Sequence, residues 1–248
     1  VRGLTITGGS ATNGGGIYAY AGGAFLDCTV TGNIATNGGG IYCLRGGLFS
    51  NCVISANTAA GHGGGAYLDN GGQLLRCTAR DNRAQIHGGG AFVAYSGTVD
   101  SCVFDANLAE FGGGGIYFVS GGLARNSLLA GNQGGYGGGA YIWSTTLQNC
   151  TIVRNSAVNA EGGGIFAVGG SVYNTIVYHN TAVIPNTTNI YNSSSPTYAY
   201  CCAAPSQSGT GNTAADPQLG DWEQGNYRLL AGSPCLDTGV NLDWTTNA

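Results

Sequence analysis

Ten side chains able to do chemistry crowd between positions 62 and 110: His62, Asp69, Arg76, Arg80, Asp81, Arg83, His87, Asp100, Asp105 and Glu110. Elsewhere charge is sparse, since charged residues make up only 8% of the chain. Two reactions suit such a set. Glycoside hydrolysis needs two carboxyls about 5–9.5 Å apart, one as acid and the other as base or nucleophile. A calcium-dependent lyase acting on an acidic polysaccharide needs several carboxylate oxygens around one ion and a base near the sugar's α-proton. Asp81, Asp105 and His87, the densest polar group, are the candidate catalytic residues for either. His62 and His87 could share a metal, but no third ligand stands at a matching spacing, so neither a metal nor a cofactor is expected.

What must position these residues is a repeat. The third glycine of each GGG falls at Gly16, Gly40, Gly65, Gly90, Gly115, Gly139 and Gly164, at intervals of 24 or 25 residues. A fixed period of that size predicts a solenoid, whose units bury their apolar faces only against their neighbours. Each GGG is followed by an apolar residue and a ring. Further on comes a small pair such as Gly22-Gly23, then a short apolar segment ending at Cys28 or its equivalent. Five residues later stands an asparagine: Asn33, Asn57, Asn82, Asn107, Asn132, Asn155 and Asn180. The pattern reads as three short strands per unit, with no helical periodicity. The predicted fold is therefore all-β, a single-stranded parallel β-helix of about seven rungs spanning 1–182, right-handed as the resemblance given below implies, with a linker and capping tail over 183–248. Stacked at about 4.8 Å, the asparagine amides can donate to one neighbour and accept from the other, which predicts a structural ladder.

That register bears on the chemistry. Arg80 and Asp105 share a column, as do Asp100 and Arg125, which are ordinary surface complements. No column stacks two carboxylates, and Asp81 lies between Ala56 and Ala106. His62 and His87 take the turn position held by Asn13 and Asn37. The rings Tyr18, Tyr42, Tyr67, Phe92, Tyr117, Tyr141 and Phe166 form a column of their own. If the residue before each points inward, the rings make an outward stripe suited to sugar stacking or protein contact. The alternatives are that residues 183–248 cover the stripe, or that the facing is inverted and the rings are core.

The alternation of "GGGI" with apolar-x-x-Asn, literally "FDAN" at 104–107, resembles the GGA[ILV] and FxxN repeats of polymorphic outer-membrane proteins. The tail from Asp216 to Gly239 resembles the closing segment of many secreted bacterial right-handed β-helix proteins. The resemblance implies a bacterial, secreted or cell-surface protein with a β-helical body. It does not fix an activity, because that superfamily holds lyases, hydrolases, adhesins and structural proteins. "GHG" at 61–63 resembles a scrap of the polygalacturonase signature whose other elements are missing.

Of nine cysteines, Cys28, Cys52, Cys77, Cys102 and Cys150 share one column and read as small buried thiols. Cys43 reads as core, and one bridge among Cys201, Cys202 and Cys235 would staple the tail in an oxidising compartment. A formal charge of −4 with no lysine argues against nucleic acid as a partner. No apolar run reaches the ~18–20 residues of a membrane span. The absence of methionine and a start in mid-repeat predict a mature or excised piece, and an open strand edge there predicts possible head-to-tail stacking of copies. The leading expectation is a non-catalytic structural or adhesive protein with a glycan as partner, ahead of a carbohydrate-active enzyme.

Overall fold

A computed structural model describes residues 1–241. The chain coils into a parallel β-solenoid in which every strand pairs in parallel with the equivalent strand one turn away. Four sheets run along the axis. Sheet I, nine strands, begins at Thr5–Thr7 and ends at Cys202–Ala203. Sheets II, III and IV have eight strands each and begin at Ser10–Asn13, Ile17–Tyr20 and Ala24–Leu26. The sequence predicts three strands per turn. The fourth comes from sheet II, most of whose strands are two residues long, such as Thr58–Ala59, too short to register as a period.

The solenoid also runs on past residue 182, where a linker was expected. Ile190–Asn192, Thr197–Ala199 and Cys202–Ala203 pair with the preceding turn in sheets III, IV and I. The remainder, through residue 241, forms the tail, and the end of the predicted cap lies outside the described residues.

The interior is one continuous apolar column. Ile41, Leu68, Val93, Phe118 and Ile142 point in from sheet III, Phe49, Leu74 and Val99 from sheet IV, and Ile54, Phe104 and Ile152 from sheet I. Bulk alternates with its neighbours: the turn with Phe104 pairs it with Ala91, Val93 and Val99, and the next turn sets Phe118 against Ala124. Such interleaving keeps the cross-section constant along the axis.

Glycine is required where the chain crosses from sheet II to sheet III. Gly113 has φ +64°, and a Cβ on Gly115 would stand 2.5 Å from the Gly139 carbonyl and 3.1 Å from the Asn132 amide. The third glycine thus makes room for the asparagine ladder. In the ladder each Nδ2 donates to the next turn's Oδ1 at 2.9–3.0 Å from Asn33 through Asn180. The last acceptor is Asn189, which fills the third-glycine position and sends its amide into the ladder slot above Asn180. It finishes the column by donating to the Ala204 carbonyl at 2.8 Å.

At the corner between sheets IV and I the thiol column runs as predicted and extends to Cys201. Its side chains also accept backbone N–H groups: Cys77 donates to the Cys102 sulfur at 3.3 Å and Cys102 to Ser127 Oγ at 3.1 Å.

The tail lies across the outer face of sheet I. Leu219, Trp222, Tyr227 and Leu229 pack on Leu128, Ala130 and Val153, and the Trp222 ring stacks on His179 at 4.0 Å. Its described residues do not cover the ring column, which belongs to sheet III.

Candidate functional site

The three candidate catalytic residues do not meet. Asp81 and Asp105 lie side by side on the outer edge of sheet I, where the Asp81 N–H donates to the Asp105 carbonyl at 3.2 Å. Both side chains are exposed. Arg80 shares its register with Asp105, as the repeat predicts. A groove of about 370 Å³ opens between this edge and the tail, lined by Val103, Asp105, Leu128, Arg154, Glu223 and Tyr227. Partial desolvation there holds the Asp105 carboxyl above its ordinary range, and the Asp81 charge adds to it, while Arg154 and Arg80 oppose the rise.

His87 belongs to a different surface. Its ring stacks on Tyr117 at 4.3 Å and on His62 at 5.3 Å, with Phe111 and Tyr136 at its edges. The Nδ1 atoms of His62 and His87 are buried without a hydrogen-bond partner. Burial lowers both imidazoles, and with the neighbouring His62 it takes His87 down to about 4. An uncharged imidazole is what a ring cluster tolerates. Among the described residues no group of three metal-ligating side chains forms.

Two ion pairs take up other charges of the cluster. Arg125 meets Asp100 at 2.8 Å, as the shared column predicts, and Arg83 meets Glu110 at 2.6 Å.

The ring column does face outward, because Ile17, Ile41, Ala66 and their successors are buried inside. Tyr18, Tyr42, Tyr67, Phe92, Tyr117, Tyr141 and Phe166 stack one on the next, with centroids 4.1–5.6 Å apart. Tyr191 adds an eighth ring, 4.9 Å from Phe166. Its signal was present in the sequence, since Ile190-Tyr191 follows Ile165-Phe166 by one repeat of 25.

Exposure along the column is uneven. Tyr18 is 51% exposed, whereas Phe92 and Tyr117 are 7% and 8% exposed under His62, His87 and Tyr136. Stacked rings spend their faces on one another, leaving edges and hydroxyls to solvent. One such hydroxyl, Tyr42 OH, donates to Asp69 Oδ2 at 3.0 Å, and burial together with that bond raises the phenol.

Besides Tyr18 of the column, four rings are exposed outside it, and sequence reasoning missed those four. The aromatic side chains among the exposed large hydrophobics are Tyr18, Tyr20, Tyr95, Phe111 and Trp143. All border sheet III: Tyr18 and Tyr20 within its first strand, Tyr95 and Trp143 just after strands Ala91–Ala94 and Ala140–Ile142, and Phe111 at the preceding corner. No repeat marks those four, because Tyr95 occurs once in a column otherwise held by small or polar residues, and Tyr20 and Trp143 share a column whose intervening members, Leu44, Asp69, Ala94 and Val119, carry no ring.

A model of the family described as "Right handed beta helix region" matches residues 1–146. No curated protein and no solved structure gives a significant match.

Proposed function

This chain belongs to the right-handed β-helix family, and we propose that within it the protein is a non-catalytic, extracellular structural or adhesive element. Its contact surface is the outer face of sheet III, and a glycan is the ligand. The observation that supports this is the clustering of exposed rings, Tyr18, Tyr20, Tyr95, Phe111 and Trp143, around one sheet. Isolated exposed apolar residues are normal, but rings gathered on one side mark contact surfaces. Rings with a free face stack on the apolar faces of sugars, and the stiff ladder behind them holds their spacing fixed. The imidazoles there are neutral, so the surface suits an uncharged glycan better than an acidic one.

The test is a glycan array run beside a polysaccharide-degradation screen. Binding without turnover, lost in a Tyr95→Ala/Trp143→Ala double variant of unchanged stability, supports the reading. Turnover of any polymer, or binding indifferent to both substitutions, refutes it.

One observation favours a second reading, a carbohydrate-active enzyme. Asp105 has a raised carboxyl beside Asp81 and faces Glu223 across the groove, an arrangement that suits acid–base chemistry. Degradation abolished by Asp105→Asn would establish it.

A further inference from the structure

The nine cysteines fall into two chemical classes. Cys28, Cys52, Cys77, Cys102, Cys150 and Cys201 form the inward column, each sulfur engaged with backbone carbonyls, as Cys201 is with Val172 O at 3.3 Å. In that column side chains in register point the same way, a geometry that does not bridge. Cys43 is buried inside sheet III.

Cys202 differs from its neighbour. Alternation along the strand turns it outward from sheet I, in register with Ile176. It is nevertheless buried, and its side chain lines the same cavity as Cys235 of the tail, with which its thiol interacts.

Both partners are held in place. Cys202 Sγ donates to Ala215 O at 3.1 Å. Cys235 N donates to Ser233 Oγ at 3.1 Å, and Ser233 Oγ is anchored on Pro217 O at 2.6 Å. Downstream, Asn174 exchanges two hydrogen bonds with the backbone of Val240, at 2.8 and 2.9 Å. The tail is thereby fixed on both sides of Cys235.

We propose that Cys202 and Cys235 are a disulfide-forming pair that, once oxidised, straps the tail to the last turns of sheet I. The oxidant is a low-molecular-weight disulfide such as glutathione disulfide. Cys235 thiolate attacks one of its sulfurs, forming a mixed disulfide and expelling one glutathione thiolate. Cys202, giving up its proton, then attacks the Cys235 sulfur and expels the second. Two protein thiols become one S–S bond, and the two electrons and two protons leave as two molecules of reduced glutathione. The order follows from access, since Cys235 is partly exposed and Cys202 is buried, and the interaction between them lowers the Cys235 thiol. The strap borders a polar cavity of about 570 Å³, between Asn149, Asn174 and Tyr200 on the solenoid and Asp237 on the tail. Oxidation therefore fixes one wall of that cavity.

The experiment uses the full chain, equilibrated natively with glutathione disulfide, alkylated under denaturing conditions and digested with trypsin. Cleavage after Arg154 and Arg228 leaves Cys201 and Cys202 in one peptide and Cys235 in the next. The expected product is those two peptides linked, with Cys201 alkylated by fragment-ion assignment, and separated again by dithiothreitol. Oxidation should also slow limited proteolysis of the tail at least several-fold, an effect absent from Cys235→Ser. Absence of the linked peptide, linkage through Cys201, or tail cleavage indifferent to oxidation would overturn the proposal. None of these readouts depends on glycan binding, so the pairing and the proposed function fail separately.

Discussion

Asn107→Ala should cost about 2–4 kcal/mol, and the figure follows from what it leaves behind. Asn107 Oδ1 accepts from Asn82 N at 3.1 Å and from Asn82 Nδ2 at 3.0 Å, while its own Nδ2 donates to Ala79 O and to Asn132 Oδ1 at 3.0 and 2.9 Å. Truncation strands the Asn82 backbone N–H, for which no other acceptor is in place. It strands one amide hydrogen of Asn82 as well, the other still reaching Ile54 O at 2.9 Å. Asn132 Oδ1 keeps the Asn107 N–H at 3.0 Å and is not orphaned. A fully stranded buried donor costs about 1–3 kcal/mol and a half-satisfied one about 1 more. Asn33 sets the contrast. Its Oδ1 takes the N–H of Gly9, which is only half-buried and can turn to water, so Asn33→Ala should cost about 1 kcal/mol. Chemical denaturation monitored by far-UV circular dichroism measures both, with midpoint and slope reported separately because repeat arrays can unfold in parts. Equal losses at the two sites, or a loss below about 1 kcal/mol at Asn107, would refute the ladder's energetic role.

Three further outcomes follow from the same geometry. Asn189→Gly restores the glycine of every earlier turn, yet it removes the acceptor for Asn180 N and Nδ2 at 3.1 and 3.0 Å, so it should destabilise by about 2–3 kcal/mol; a neutral result would remove Asn189 from the ladder. Gly115→Ala sets a methyl against the Gly139 carbonyl and the Asn132 amide and should cost about 1–3 kcal/mol or prevent folding, whereas unchanged stability would show that the turns can spread. Acid should act through His87: its folded pKa, about 4, lies below the ordinary 6.5, so the unfolded chain binds the proton first. Stability is then full above 6.5 and falls as the pH drops towards 4, by up to about 3 kcal/mol from the shift and nearer 1–2 after allowing for solvent screening of a half-buried ring. His87→Asn, the residue carried by Asn13 and Asn37 in that column, should flatten this slope in denaturation curves taken at several pH values; an unaltered slope would point elsewhere.

The elements that could be read from sequence are those the repeat enforces. A fixed register makes each column face one way, so the inward apolar residues, the asparagine ladder and the buried thiols follow from alignment on GGG, and the rings align with them although alignment alone left their facing open. Sheet II escaped because most of its strands are two residues long, below any period. The last turn escaped because its marker changed: Asn189 replaces the glycine, and the ladder step to it spans nine residues instead of 23 to 25. The candidate site was legible by column and not by neighbour. Register pairs Arg80 with Asp105, but it could not show that Asp81 lies beside Asp105 across the turn, or that His87 faces another sheet. Nor could it show that the outward rings occupy one another's faces, which depends on side-chain rotation. The landing place of the tail on sheet I was beyond reach, because that packing is made once by residues far apart in sequence.

The asparagine column has a sense of direction. Every amide from Asn33 to Asn180 donates towards the later turn and accepts from the earlier one, so the amide dipoles add along the axis, and hydrogen-bonded chains of this kind polarise their members. Every internal junction is consequently the same junction, an amide donor below an amide acceptor. A whole turn can be duplicated or deleted and the column rejoins with no new interface, because both cut ends match. Inverting a turn brings donor to donor and acceptor to acceptor. The architecture therefore grows and shrinks in quanta of one repeat while preserving polarity from end to end. The single residue that must not be copied is Asn189, which stops the count.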